Sequence, residues 1–139
     1  MKAEKETLKQ KMQVIDENLR YLENQNPANL SESDFEKLQA VKHSLFEITE
    51  ACIDISSHII AAEGFEKPEE YAGMFPVLSK NKIITEELAS KLEEMARFRN
   101  LLVHRYGEIE SEKLEEFIRE ELEDVKQFTS SIYKYMEQD

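Results

Sequence analysis

The chain has no tryptophan, one cysteine, three glycines and three prolines. So few turn-forming residues exclude collagen-like and low-complexity chains, and they leave little from which to build a turn-rich all-β fold. The lone Cys52 has no intramolecular disulfide partner, which fits a reducing compartment. There is no CxxC pair or Cys/His cluster of the kind that holds zinc. Long apolar runs are missing too. The longest, such as Ile59-Ile60-Ala61-Ala62, cover about four residues, where a membrane span needs about 20. The opening MKAEKETLKQKMQ is charged and lacks the apolar stretch of a secretory leader. A cytoplasmic protein without a membrane segment is expected.

What is abundant is charge, and mostly of one sign. Thirty acids face 18 bases, a net charge of -12. Such a chain repels nucleic acid as a whole, so any contact with RNA must be local. The 139 residues suit one domain, 1–139, with a core of its own.

Glycine and proline punctuate the chain at Pro27, from Gly64 to Pro76, and at Gly107. Between these points apolar residues recur at steps of three and four. Leu8, Met12, Ile15, Leu19 and Leu22 mark one face of a first helix, which stops before Pro27. Ser31 and Ser33, with Asp34 and Glu36, offer overlapping capping boxes for a second helix. Leu38, Val41, Leu45, Ile48, Cys52, Ile55 and Ile59 carry it to about Ala62, with Gly64 as its cap. Pro68-Glu69-Glu70 reads as the first turn of a short helix that Gly73 and Pro76 keep short. Phe65, Tyr71, Met74 and Phe75 are too apolar for a free linker, so this segment should fold over the bundle. A further helix runs from Thr85 to Gly107, and a last one from Ser111 with Leu114, Ile118, Leu122, Val125, Ile132 and Tyr135 inward. The acids from Glu115 to Asp124 are expected to form a solvated face of that last helix. The fold class is all-α: an antiparallel four-helix bundle with an extra short helix.

One segment breaks the pattern. Arg97-Phe98-Arg99-Asn100-Leu101-Leu102-Val103-His104-Arg105-Tyr106 holds three arginines, one histidine and no acid. The seam of Leu88, Leu92 and Met95 continues at Arg99, Leu102 and Tyr106, so an arginine and a tyrosine occupy positions that call for apolar residues. A charge there is costly unless it is paired or solvated. Local rules tend to break at functional sites. Two readings remain open on these residues alone: cations that complement the dipole at a helix end, or a phosphate site.

Arg99-Asn100-Leu101-Leu102-Val103-His104-Arg105-Tyr106 resembles the R-x4-H-x-Y motif of HepT-type toxins in the HEPN superfamily. The stretch from Ala51 to Ile60, the Gly64 and Pro68 region and the order of helices are similar as well, from about residue 35 onward. The resemblance implies a metal-independent endoribonuclease with no cofactor. It assigns Arg99 to holding the scissile phosphate and His104 to proton transfer as the RNA 2′-hydroxyl attacks. Asn100 matches a polar neighbour in a supporting role. Tyr106 matches the tyrosine that a nucleotidyltransferase antitoxin, MntA, modifies with AMP. The chemistry suits the residues. Arginine's fork binds two phosphate oxygens and keeps its charge, and histidine exchanges protons near neutrality.

Five residues along an ideal helix rotate about 500°, which leaves Arg99 and His104 roughly 140° apart. Arg99 and Tyr106 fall within about 20° of each other. Either the helix end unwinds, or a homodimer places one chain's Arg99 near the other's His104. Dimers through this region are what the resemblance implies.

Other candidates rank lower. Asp54 and His58 lie one turn apart and could support the site, with Asp54 orienting the imidazole, or they could form a structural hydrogen bond in the bundle. They are too few for a metal site, and the Glu-x-x-His pairs of di-iron bundles are missing before His43, His58 and His104. His43 should face solvent and Cys52 the core. A second functional reading is a non-catalytic HEPN module that binds a nucleotidyltransferase partner or a nucleotide.

Overall fold

A computed structural model describes residues 2–25, 35–104 and 111–138; within 100–104 and 111–113 it describes the backbone only. Five α-helices follow in order: α1 (Lys5–Glu23), α2 (Phe35–Glu63), α3 (Met74–Lys80), α4 (Glu86–His104) and α5 (Ser111–Met136). A 3₁₀ turn, Tyr71–Gly73, precedes α3. There is no strand among the described residues. The long helices α1, α2, α4 and α5 form an antiparallel bundle, and α3 packs against α2 and α4.

The apolar seams are the core. Leu8, Met12, Ile15, Leu19 and Leu22 of α1 are all buried, as are Val41, Leu45, Ile48, Cys52, Ile55 and Ile59 of α2. The periodicity therefore reads correctly along both helices. Burial also pushes the Cys52 thiol far up from its ordinary pKa. Thr49 and Ser56 are buried in the same helix, and each hydroxyl donates to the carbonyl four residues back, at 2.9 Å. Their polar groups are thus satisfied inside the bundle.

Helix ends follow local chemistry. Gly64 takes a φ of +73°, and the Phe65 N–H donates to the Ile60 carbonyl at 3.0 Å, closing α2 in a Schellman arrangement. Thr85 Oγ1 accepts the Leu88 N–H at 3.1 Å and caps α4. The proposed caps at Ser31 and Ser33, the break at Pro27 and the stop at Gly107 lie outside the described residues.

The segment after Gly64 differs from expectation. Pro68-Glu69-Glu70 is not helical; the chain turns first through the 3₁₀ residues and enters α3 at Met74. Pro76 does not stop that helix. It is the third residue of α3, where the missing N–H has no helical acceptor to lose, and the helix runs on to Lys80. Phe75 anchors it, edge-on to Phe128 of α5 at 6.1 Å between ring centres.

The acidic run of α5 is only partly a solvated face. Glu116, Glu120 and Glu123 are exposed, but Asp124 is buried and lies 3.6 Å from Lys91 of α4. Glu121 is half-buried beside it, and its Oε2 is buried with no hydrogen-bond partner. Desolvation, reinforced by Asp124, pushes this carboxyl up to about 7.

The first residues are tied down. The Lys2 N–H donates to Glu63 Oε1 at 2.7 Å, and the Tyr135 hydroxyl donates to the same oxygen at 3.0 Å. That hydroxyl accepts the Ala3 N–H at 3.3 Å. The N-terminal residues, the end of α2 and the last turn of α5 thus meet in one polar clasp. Among the described residues, no helix is long and apolar enough to cross a membrane.

Candidate active site

The site is built where α4 meets α2 and the 3₁₀ turn. Arg99 continues the α4 seam, as the spacing indicates, and its side chain is only 19 % exposed. It is not an unpaired buried charge. Arg99 Nε donates to Glu50 Oε1 of α2 across the helix interface. The guanidinium carbon also lies 5.6 Å from the centre of the Phe46 ring and 5.5 Å from that of Tyr71. Both distances fall within cation–π range. An ion pair and two rings therefore meet the cost that a lone arginine would impose at this position.

The flanking helices explain why these partners converge. Phe46 and Glu50 are one turn apart on α2 and present the same face to α4. Tyr71 comes from the 3₁₀ turn, which packs against α4. Gly73 makes that turn tight: a Cβ there would sit 2.9 Å from the Pro68 Cβ. Beside Arg99 opens a pocket of about 370 Å³ lined by Glu69, Glu70, Tyr71, Ala96 and Arg97. Arg97 is exposed and pairs with Glu93 one turn back, at 3.3 Å.

The helix is unbroken from Arg99 through Asn100 to His104. The unwinding that would bring positions 99 and 104 together does not occur in the described residues. The two positions stay roughly 140° apart around the α4 axis. Nothing is described of the Asn100 and His104 side chains, and Tyr106 lies outside the described residues.

Asp54 and His58 are turned elsewhere. Asp54 Oδ2 pairs with Lys11 Nζ of α1 at 3.1 Å, and His58 Nε2 accepts the Glu4 N–H at 3.1 Å. Each step of four along a helix drifts about 40°, so two steps from Glu50 carry the face from α4 round to α1. The hydrogen bonds of both are structural, made to the start of α1 rather than to each other. His43 is exposed and lies 3.5 Å from Glu47. Among the described residues, no three His, Cys, Asp or Glu side chains gather closely enough to hold a metal ion.

Sequence reasoning missed Glu50, Phe46 and Tyr71. The available signal was a carboxylate and a ring one turn apart on α2, just before the Asp54-His58 pair.

The sequence profile of the family described as Ribonuclease HepT-like matches residues 12–132. The chain belongs to this family. It is 33 % identical over 99 residues to an mRNA nuclease HepT of Shewanella oneidensis, covering 71 % of this chain and 74 % of the relative. It is 36 % identical over 78 residues to a tRNA nuclease HepT of Aphanizomenon flos-aquae, covering 56 % of this chain and 53 % of that one. The fold matches the tri-AMPylated Shewanella oneidensis HEPN toxin solved in complex with the MNT antitoxin. The TM-score is 0.86 at 26 % identity, over 94 % of this chain and 99 % of that one. In this HepT-like chain the helix that holds Arg99 against Glu50 runs on to His104.

Proposed function

We propose that this HepT-like chain is the toxin of a toxin–antitoxin pair, a single helical domain that cuts RNA in the cytoplasm without a metal ion. The observation that carries the reading is the placement of Arg99: a guanidinium held at a helix junction, in the motif of a nuclease family. Relatives act on mRNA and on tRNA, so the substrate class is RNA.

His104 takes the proton of the RNA 2′-hydroxyl as that oxygen bonds to the adjacent phosphorus. The bond from phosphorus to the 5′-oxygen breaks, that oxygen takes a proton from water, and His104 returns its own proton to the solvent. The products are a 2′,3′-cyclic phosphate and a 5′-hydroxyl. Arg99 stabilises the charge that builds on the phosphorane oxygens. The unbroken helix between positions 99 and 104 supports a homodimer in which each site takes Arg99 from one chain and His104 from the other. A nucleotidyltransferase antitoxin silences the toxin by adding AMP to Tyr106, which falls on the same face of an ideal helix as Arg99.

Mixing two inactive variants tests the arrangement. Arg99→Ala and His104→Ala should each abolish cleavage alone. Co-folded, they form heterodimers with one intact composite site, and about a quarter of the activity should return, because statistical pairing makes half the dimers mixed. No recovery overturns the shared site. Cleavage should survive EDTA, leave a cyclic phosphate and fail on RNA with a 2′-deoxy substitution at the cut. A magnesium requirement, or equal cutting of DNA, overturns the mechanism. Tyr106→Phe should stay toxic in the presence of the antitoxin; continued AMP addition to that variant moves the modification elsewhere.

A further inference from the structure

We propose that Glu50 is the positioning residue of the arginine site, assisted by Tyr71. The inference rests on the reading that Arg99 acts on the RNA phosphate, and it names what holds Arg99 in place to do so.

An arginine side chain has four rotatable bonds before its planar head, and a long cationic side chain loses up to about 2 kcal/mol of rotamer freedom when fixed. A phosphate fork works only if its plane is set beforehand. Among the described residues, two elements restrain that plane, α2 through Glu50 and Phe46 and the 3₁₀ turn through Tyr71. Glu50 Oε1 accepts from Nε, the guanidinium nitrogen nearest the stem. The Phe46 and Tyr71 rings lie 5.6 and 5.5 Å from the guanidinium carbon. A bond at Nε stops the head from swivelling about the last stem bond, and ring contacts hold the plane. Glu50 is itself only half-buried, and Ala51, Cys52 and Ile53 fill the buried positions beside it, so the core of α2 among the described residues does not call for a carboxylate there. The carboxylate also subtracts from the local positive charge, which a site built only for RNA affinity would avoid. Its presence makes sense if orientation counts for more than attraction.

Orientation and attraction predict opposite changes in KM and kcat. Glu50→Ala removes a negative charge from an RNA site and unfastens the guanidinium. We expect kcat to fall by about 10- to 100-fold, the cost of a reacting group misplaced by about 1 Å, with KM unchanged or lowered. Glu50→Gln keeps an oxygen that accepts from Nε and should recover most of the lost kcat. Tyr71 is 58 % exposed, so Tyr71→Ala leaves the core intact, and it should lower kcat several-fold with an unchanged melting temperature.

A fourth measurement ties the effect to Arg99. In an Arg99→Lys background there is no Nε fork to orient, and Glu50→Ala should cost less than about 3-fold more. Full cleavage by Arg99→Ala overturns the phosphate role of Arg99 itself. Loss of cleavage in Arg99→Ala with full kcat in Glu50→Ala overturns only the positioning role. Equal losses from Glu50→Ala in both backgrounds would mark Glu50 as a structural residue and overturn it as well. Should Glu50→Ala fail to fold, Glu50→Gln and Tyr71→Ala decide: a raised KM at normal kcat in both refutes the proposal.

Discussion

His58 Nε2 accepts the Glu4 backbone N–H at 3.1 Å, so a side chain of α2 caps the start of α1. Glu4 makes no side-chain cap of its own. The imidazole therefore does for α1 what Thr85 does for α4, from a helix far along the chain.

His58→Ala should lower stability by about 1 kcal/mol, the usual worth of a lost N-cap. In a chain of this size that is about 4 °C in melting temperature. RNA cleavage at a temperature below the transition should be unchanged. A cleavage defect in a folded His58→Ala protein would return His58 to the site.

The half-buried Glu121 makes stability depend on pH. Its folded pKa, about 7, lies above the ordinary glutamate value of 4.5, so between these values the folded protein holds a proton that the unfolded chain has released. Stability is then full at low pH and falls as pH rises from about 4.5 through 7. Glu121→Gln removes the titrating group. We expect its melting temperature to exceed the parent's by about 2–4 °C at pH 8 and to differ little at pH 4.5. Partial solvent exposure keeps the gain near about 1 kcal/mol. A destabilised variant at pH 8 would refute the assignment.

Gly73→Ala probes the turn that carries Tyr71. The added Cβ would meet the Pro68 ring at 2.9 Å, and neither that ring nor the turn can yield as a flexible side chain would. The turn should shift and take Tyr71 off Arg99. Cleavage should fall several-fold, comparably to Tyr71→Ala, while Gly73→Ala on a Tyr71→Ala background adds little. Additive losses in the double variant would separate the two.

Cys52 should be inert in the folded state. It is fully buried, and burial pushes its thiol well above the ordinary range. A thiol reagent at pH 8 should label it only in urea, at the rate of global unfolding. Fast labelling of native protein would show that α2 opens locally.

The bundle was legible because apolar spacing reports which face of a helix is inward. The seam of α1 is buried throughout and that of α2 from Val41 onward, with Leu38 only partly buried, and Gly64 and Thr85 act at the ends where their chemistry puts them. Spacing says less where a residue's fate depends on a partner far away in the chain. Asp124 looks like part of a solvated acidic face until Lys91 of α4 lies beside it. The oddity of Arg99 was visible as a broken seam, yet its partner, 49 residues away, was not. Asp54 and His58 drew attention as an i, i+4 pair, but one turn's drift around α2 decides between facing α4 and facing α1. Pro76 misled because its effect depends on position: it breaks a helix interior and is harmless in a first turn.

The clasp at the start of α1 bears on how the protein breathes. The Ala3–Tyr135 hydrogen bond joins residues 132 apart in the chain. Loop closure makes such a contact late to form, while the turns between neighbouring helices close early. Late contacts at a chain terminus are also the first to open. Fraying therefore starts where Lys2, Ala3 and Glu4 lie on α2 and α5, near Glu63. Glu50 lies 13 residues up the same helix, about 20 Å away. Hydrogen exchange at the head of α1 can thus run fast while the helix junction around Arg99 stays closed.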